Sequence, residues 1–452
     1  MPPIGPIIDR SRRAAIGALA AGAAAFAFWP STPRSRRDIP HGRTVLSYWE
    51  KWTGPEGEAI QRVVDAFNSS QDRIYVQRLA VSDQNSKALV AIGGGDPPDL
   101  AGLFSYSVPQ YAESGAAIPF DQLGLDPGPG FFTPAIERVL RHQGRLFAAP
   151  NTSYSLALYY NLDHFEEAGL APPTSLESLA DTAVALTRRA PDRSIDRVGF
   201  LPSLPWWWYY LWPVYADGLL YDDSSPDAPT APIDSDACVR AFEWVASFPK
   251  RLGLADVRTF ADRFARSYHN AGDPFLSGRC SMAFQGPWLA NFARVYAPTL
   301  RFGVIPMPHA AGLPDPLQPR GLVECDVIII PRGCPHPEEA AEFVRFTLRQ
   351  DIQESLCRDH FKSSPLASLS PTFLSTHPHP GIAAFEAVAR SPRVSVLPRT
   401  RVWKNYSELL LPAYDAIWAG ADVRSVLSPL AARLRILIDR QQDIARRRSN
   451  GD

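Results

Sequence analysis

The sequence predicts an α/β protein with more than one domain, and three observations carry that reading. The chain has 452 residues, which at roughly 100 to 200 residues per domain makes two or three cores the expectation. Strand-like and helix-like segments alternate from Arg43 onward, the pattern of sheets covered by helices. Hydrophobic residues make up 45% and charged residues 21%, close to globular averages, which argues against wholesale disorder and against a multi-span membrane protein.

Taken in order, Thr44 to Trp49 reads as the first strand. Pro55 then opens a helix whose Ile60, Val63, Val64 and Phe67 fall at i, i+3, i+4 and i+7, one apolar face that should cover a sheet. Ile74 to Leu79 is the next strand. Lys87 to Ile92 ends a helix, Gly93-Gly94-Gly95 breaks it, and Asp99-Leu100-Ala101 begins another strand. Leu146 to Ala149 and Ser155 to Tyr160 are extended, with Asn151-Thr152-Ser153 between them as a place to cross between lobes. Leu162 to Ala168 is helical, and Thr174-Ser175-Leu176-Glu177 fits a capping box for the next helix. Ser281 to Phe284, Phe302 to Ile305 and Val327 to Ile330 are short apolar strands, the last consistent with a buried parallel strand. Pro337-Glu338-Glu339 starts a helix with apolar positions Ala340, Phe343, Val344 and Thr347, and its early acids suit the helix dipole. Two helices separated near Gly420 fill Asn405 to Arg446. There is no internal repeat and no long low-complexity tract.

Charge and chemistry signals are mostly negative. Lys plus Arg (46) balances Asp plus Glu (47), so no global field draws the chain to nucleic acid or anionic lipid. The five cysteines form no CxxC pair and are odd in number; most read as small buried side chains, with one bridge left open. None precedes Cys238, which leaves no lipid-modified N-terminal cysteine. Ser11-Arg12-Arg13 ahead of the uncharged run Ala14 to Trp29 looks like a twin-arginine export signal, with a small-residue cleavage pattern at Ala25-Phe26-Ala27. The run is shorter than a spanning helix. Residues 1–42 are therefore read as export signal and linker, with a disordered basic tail as the alternative.

No GxSxG, HExxH, P-loop or GxGxxG motif occurs. His377-Pro378-His379 offers two imidazoles but no partner at finger-like spacing, and its proline suggests an exposed loop; no metal and no cofactor are expected. Asp222-Asp223 and Glu338-Glu339 are neighbours that point apart and read as solvated. Aromatics stand out instead, at 11% of the chain and concentrated in Trp206-Trp207-Trp208-Tyr209-Tyr210-Leu211-Trp212. Trp49, Trp52, Trp288 and Trp403 sit at element ends. An aromatic ring stacks on the C–H face of a sugar while nearby polar groups bond its hydroxyls; the bland reading of each ring is core packing.

Several short motifs then recur in a familiar order: Tyr48-Trp49, Gly95-Asp96-Pro97-Pro98-Asp99-Leu100, Tyr111-Ala112-Glu113-Ser114-Gly115, Leu158-Tyr159-Tyr160-Asn161 and Phe165-Glu166-Glu167-Ala168-Gly169-Leu170. Trp212-Pro213, Ala216-Asp217-Gly218, Phe275-Leu276-Ser277-Gly278-Arg279, Gly286-Pro287-Trp288 and Pro337-Glu338-Glu339-Ala340-Ala341-Glu342-Phe343 follow. In this order, from about Val45 to Leu437, the chain resembles the family 1 extracellular solute-binding proteins of bacterial ABC importers, such as the maltodextrin-binding proteins. The resemblance implies a periplasmic-binding-protein-like (type II) fold of two α/β lobes, hinged, with a ligand cleft between them. It places crossings near Thr152 to Tyr154, Val304 to Pro308 and Thr347 to Asp351. Lobe 1 would be 43–153 plus 305–348, and lobe 2 154–304 plus 349–452.

Carried over by position, the resemblance implies cleft-facing Trp49 and Glu50 after the first strand, and Phe104, Ser105 and Tyr106 after the third. Asp99 is expected to be structural. Tyr154 lies at the first crossing; Trp208, Tyr209 and Tyr210 match a stretch supplying a stacking ring, and Trp288 matches another. Glu324 and Asp326 depart from a usually glycine-rich loop, and as buried acids they would need partners, with Arg401 offered as one. Arg401 and Trp403 match a variable segment. The implied protein is a monomer that is not an enzyme, binds a carbohydrate and delivers it to ABC permease subunits in the membrane. It would be periplasmic, or held at the outer face of the membrane by an uncleaved signal. A binder of another polar solute such as a glycerol phosphate, a sensor that lost tight binding, and a carbohydrate-active enzyme using Glu50 with Glu324 or Asp326 are the alternatives.

Overall fold

Strand β1 (Thr44–Glu50) runs parallel to β2 (Ile74–Ala80) on one side and to β3 (Leu100–Phe104) on the other. The helices Gly54–Ser70 and Gln84–Gly93 connect them, and the first buries Ile60, Val63, Val64 and Phe67, the face its periodicity predicts. In this computed structural model, residues 40–225 and 228–449 are described. The Ser11-Arg12-Arg13 motif and the apolar run after it lie outside the described residues. Asp99 ties the start of β3 to β1 and to a later loop: its Oδ2 accepts from the Ser47 N–H at 2.8 Å and hydroxyl at 2.9 Å, and its Oδ1 lies 2.9 Å from His336 Nδ1.

After a two-residue hairpin, β4 (Arg141–His142) and β5 (Arg145–Leu146), come β6 (Ala149–Ser155) and β7 (Ala157–Asn161). The short pair β8 (Arg188–Arg189) and β9 (Ile195–Arg197) is followed by β10 (Met282–Gln285), β11 (Phe302–Pro306), β12 (Gly321–Ile329) and β13 (Val394–Ser395). The first sheet has the order β13-β12-β3-β1-β2, with β6 also paired to β12; the second has the order β10-β7-β11 and is antiparallel. All nine residues of β12 are buried, and it runs antiparallel to β3 and to β6. The expected parallel direction is thus wrong there, because an unbroken apolar run reports burial on both faces and not strand direction. The strand also starts earlier than expected and carries Glu324 and Asp326 into the interior.

Two large apolar cores follow this division, with a third, smaller cluster around Tyr159, Phe275 and Phe385. One holds Leu46, Phe67, Leu103, Ile328 and Phe343, and the other holds Leu158, Phe200, Trp212, Phe284, Tyr406 and Leu434. The chain passes from the first sheet to the second at Leu156, between β6 and β7. It returns in 307–320, since Ile305 and Pro306 still pair with Leu158 and Ala157 of the second sheet. Arg320, fully buried at the end of this return, donates through Nε to Asp217 at 2.5 Å. The helix Gln350–His360 stays with the first core, where Leu356 is buried and Gln353 Nε2 donates to the Pro150 carbonyl at 2.8 Å. Later the chain rejoins the second core, at Leu397 and then in the helices Trp403–Trp418 and Val423–Ser449. No described helix is long and apolar enough to cross a membrane.

Two local expectations shift. The helix Leu176–Leu186 is capped one residue later than predicted: Ser175 Oγ accepts from Ser178 N–H at 3.1 Å, and Ser178 Oγ accepts from Ser175 N–H at 2.9 Å. Glu177 instead accepts from Ala311 N–H at 3.2 Å. The pair His377 and His379 is buried, not on an exposed loop. His379 Nε2 lies 2.8 Å from the Tyr159 hydroxyl and its Nδ1 accepts from Gly381 N–H, while His377 Nε2 lies 3.2 Å from the Lys362 carbonyl. Burial holds both imidazoles neutral, lowering their pKa values to about 4 and about 3. All five cysteines are free and buried.

Candidate functional site

Parallel strands put their carboxyl ends on one edge of a sheet, and that edge is where α/β sheets gather ligands. Here β1 ends in Glu50 and β3 in Phe104, while antiparallel β12 sets Asp326 opposite Phe104 and Glu324 opposite Tyr154 of β6. Residues two apart on a strand share a face, so Glu324 and Asp326 point the same way. Glu50 is completely buried: its Oε2 accepts from the Tyr48 hydroxyl at 2.5 Å and its Oε1 from Lys51 N–H at 2.8 Å. The carboxylate fits because Gly102 has no side chain, for a Cβ there would lie 2.1 Å from Glu50 Oε2.

Buried charges persist in a low-dielectric interior only when paired, and here they form a chain. Lys51 Nζ lies 3.4 Å from Glu50 and 3.2 Å from Asp326; Lys362 Nζ lies 3.0 Å from Asp326 and 3.0 Å from Glu56. Burial alone would lower both lysine pKa values, but the facing carboxylates outweigh it and raise them. Burial likewise opposes ionisation of Asp326, yet Lys362 and Lys51 hold its pKa well below the carboxylate range. Among the described residues no cation pairs with Glu324: its Oε2 accepts from the Ser105 hydroxyl and its Oε1 from Leu397 N–H at 3.1 Å. Desolvation dominates, and its pKa is pushed up to about 7.

Aromatic rings enclose these ammonium groups. Lys51 Nζ sits 4.6 Å from the Phe104 ring centre, and Lys362 Nζ sits 4.9 Å from Trp52, 5.8 Å from Trp288 and 5.9 Å from Tyr154. Phe104 stacks on Tyr106 at 5.4 Å and meets Trp52 edge-on at 5.9 Å. From the second lobe Trp288 meets Tyr154 edge-on at 5.2 Å. Its ring lies over Gly286, where a Cβ would be 2.2 Å from it, and its Nε1–H donates to His269 Nε2 at 3.2 Å. Burial lowers the His269 pKa and keeps that nitrogen an acceptor.

The other sequence candidates separate. Trp208 and Trp403 belong to the second core, and Tyr209 is buried there with its hydroxyl on the Ser407 carbonyl at 2.7 Å. Tyr210 packs edge-on to Trp403 at 5.3 Å, and burial together with the Glu324 charge raises its pKa. Trp49 lies on the face of β1 opposite Glu50, by the alternation of a strand; Trp52 is the indole brought to the cluster. Arg401 does not partner Glu324 or Asp326. It lies 3.9 Å from Glu113, and the acids find Ser105, Leu397, Lys51 and Lys362 instead. Sequence reasoning missed Lys51, Glu56 and Lys362 as cluster members. Lys51 adjoins the strand end that was recognised, whereas nothing local marks Lys362, which is brought in from a distant segment. No group of described residues could hold a metal ion.

Two α/β lobes with separate cores, meeting where rings from both stand beside paired charges of the first, define a two-lobed binding protein. The chain belongs to the bacterial extracellular solute-binding protein family, whose model matches residues 62–373. A binding protein of Brucella abortus (strain 2308) is 22% identical over 404 residues, 88% of this chain and 93% of that protein. The sn-glycerol-3-phosphate-binding periplasmic protein UgpB of Pectobacterium atrosepticum is 26% identical over 179 residues, 37% of this chain and 39% of that protein. Among solved structures, CpMnBP1 with mannobiose bound superposes with a TM-score of 0.74 at 24% identity, covering 86% of this chain and 99% of that one. The sugar-binding protein MalE of Xanthomonas citri superposes with a TM-score of 0.73 at 16% identity, covering 89% and 99%. These likenesses establish the type II periplasmic-binding-protein-like fold.

Proposed function

We propose that this protein is the extracytoplasmic binding component of an ABC importer, that its ligand is a sugar or oligosaccharide, and that it hands the ligand as a monomer to a membrane permease. The observation that carries the reading is the meeting of Trp288 from the second lobe with Tyr154 of the first, beside the first-lobe ring group Trp52, Phe104 and Tyr106 and the acids Glu324 and Asp326. Rings grip the apolar faces of a pyranose, and carboxylates and hydroxyls bond its edge. The sugars named for the solved structures above support the same reading. Lobe 1 is proposed as about 43–155 plus 321–366, and lobe 2 as 156–306 plus the C-terminal helices, with 307–320 and 367–402 as the later crossings; the ligand closes the hinge between them.

A thermal-shift screen of the purified protein against mono- and oligosaccharides tests this. A ligand that binds only the folded state raises the melting temperature in proportion to the logarithm of its excess over Kd. Stabilisation by a particular saccharide supports the proposal. Stabilisation only by a peptide, a polyamine or a phosphodiester would retain a binder and remove the sugar. Incubation with oligosaccharides followed by product analysis tests catalysis separately, and any hydrolysis would contradict a transport role.

A further inference from the structure

The ion-pair chain at the lobe junction bears on which solutes the cleft admits. Anion recognition needs cationic or N–H donors left free for the ligand. At this junction both buried ammonium groups are already committed. Lys51 is shared among Glu50, Asp326 and the Leu103 carbonyl, the last at 3.1 Å, and Lys362 between Asp326 and Glu56. Two arginines have other partners: Arg78 donates to the Trp52 carbonyl at 3.0 Å and to Gln61, and Arg401 faces Glu113. Against two lysines stand three paired carboxylates, Glu50, Asp326 and Glu56, with Glu324 as a fourth acid beside Ser105 and Tyr154. Within the ion-pair chain itself the three carboxylates exceed the two lysines by one charge, and Lys362 is flanked by the Trp52, Tyr154 and Trp288 rings.

We infer that the cleft selects uncharged polyhydroxylated ligands and rejects their phosphate esters, with the chain Glu50–Lys51–Asp326–Lys362–Glu56 as the determinant of that choice. The inference rests on the proposed sugar-binding role and narrows it. A phosphate brought to this junction would lose its hydration, find no free cation and meet a surplus of carboxylate, whereas a hydroxyl both donates to carboxylates and accepts from Lys N–H without adding charge. The charge pattern thus opposes carrying over the glycerol-phosphate specificity named for the partial relative.

The test is titration calorimetry on the purified protein with matched pairs: glucose and glucose 6-phosphate, mannose and mannose 6-phosphate, glycerol and sn-glycerol 3-phosphate, with maltose, mannobiose and inorganic phosphate alongside. The expected result is binding of at least one neutral saccharide, with each phosphate ester at least about tenfold weaker than its neutral parent or the best neutral saccharide, the order of a like-charge penalty. A phosphate ester that binds as tightly as any neutral compound would overturn the inference while leaving a solute binder in place. If no saccharide and no ester binds, the sugar reading itself falls and takes the inference with it. Glu56→Gln supplies the second arm, since it removes one of the two acids on Lys362 at a position still partly open to solvent. In the folded variant the neutral-to-phosphate ratio should shrink at least about threefold. An unchanged ratio in a variant that melts like the parent would remove the ion-pair chain as the determinant.

Discussion

On the side of the first lobe the junction is charged: buried Glu50, Asp326 and Lys362 and largely covered Lys51 form a chain of ion pairs with N···O distances of 3.0 to 3.4 Å. On the side of the second lobe it is aromatic: among the described residues Trp288 makes the ring contact with Tyr154, and Tyr210 is close enough to sense Glu324. The contrast shows how the two kinds of residue acquire a role. An aromatic ring is stable in a core or in a cleft, so Trp208, Trp212 and Trp403 could be absorbed into packing without any partner beyond neighbouring apolar groups. A buried charge has no such freedom, and its position is decided by the opposite charge that meets it. Core rings should therefore affect stability, cleft rings affinity, and paired charges both.

The largest separation is expected for a ring wholly inside the second lobe. Trp212, 1% exposed and packed on Phe200, Trp244 and Phe284, changed to Ala should lower unfolding free energy by about 3 to 5 kcal/mol. Urea denaturation measures this, and the folded fraction should keep its ligand affinity. Asp326→Ala leaves two buried ammonium groups without their shared acid, and a loss of about 3 to 5 kcal/mol is expected from stripping one side of a buried pair. A loss below about 1 kcal/mol, the value of an exposed pair, would show that the charges are solvated and would break the comparison.

Glu324 gives a pH signature of about 3 kcal/mol, from a pKa near 7 in the fold against 4.5 for the free side chain. Because the folded pKa is raised, the folded state holds the proton more tightly, so this group removes stability as pH rises from about 4.5 to about 7. The buried His377 and His379 act with the opposite sign. Their folded pKa values are depressed to about 4 and about 3, so they add stability as pH rises toward 6.5. Wild type compared with Glu324→Gln cancels the histidines: the variant should gain relative to wild type as pH goes from 5 to 7.5, read from denaturation midpoints. A gap that does not change with pH would place the Glu324 carboxyl in water. The smallest of these effects belongs to Trp288→Ala, which should weaken the saccharide found in the thermal screen by about 2 kcal/mol, roughly 30-fold, with little change in melting temperature. A variant that unfolds instead would move Trp288 to the core side of the comparison.

Much of the frame could be read from the chain. The helix Gly54–Ser70 appears where an i, i+3, i+4, i+7 pattern announces it, and the C-terminal helices part at Gly420, whose positive φ of 102° suits a helix end. Local signals failed where two readings share one pattern. The apolar run in β12 looked the same for either strand direction, and Ser175 with Ser178 formed the cap in place of Thr174 and Glu177. In the site, strand-end residues such as Glu50 and Phe104 were legible because their place follows from the end of an element. Lys362 was not, because its meaning comes from Asp326 and Glu56, residues separated from it along the chain.

By itself the sequence determined the α/β alternation, which rests on periodicity, and the order of the family motifs, whose resemblance implied Trp288 and Tyr154 as candidate ligand contacts. Only the tertiary structure decided which rings became core, where the chain returns between lobes and which carboxylate each lysine neutralises. Those outcomes depend on electrostatic and packing contacts across hundreds of residues, and a Coulomb interaction is set by distance in space, whatever the separation along the chain.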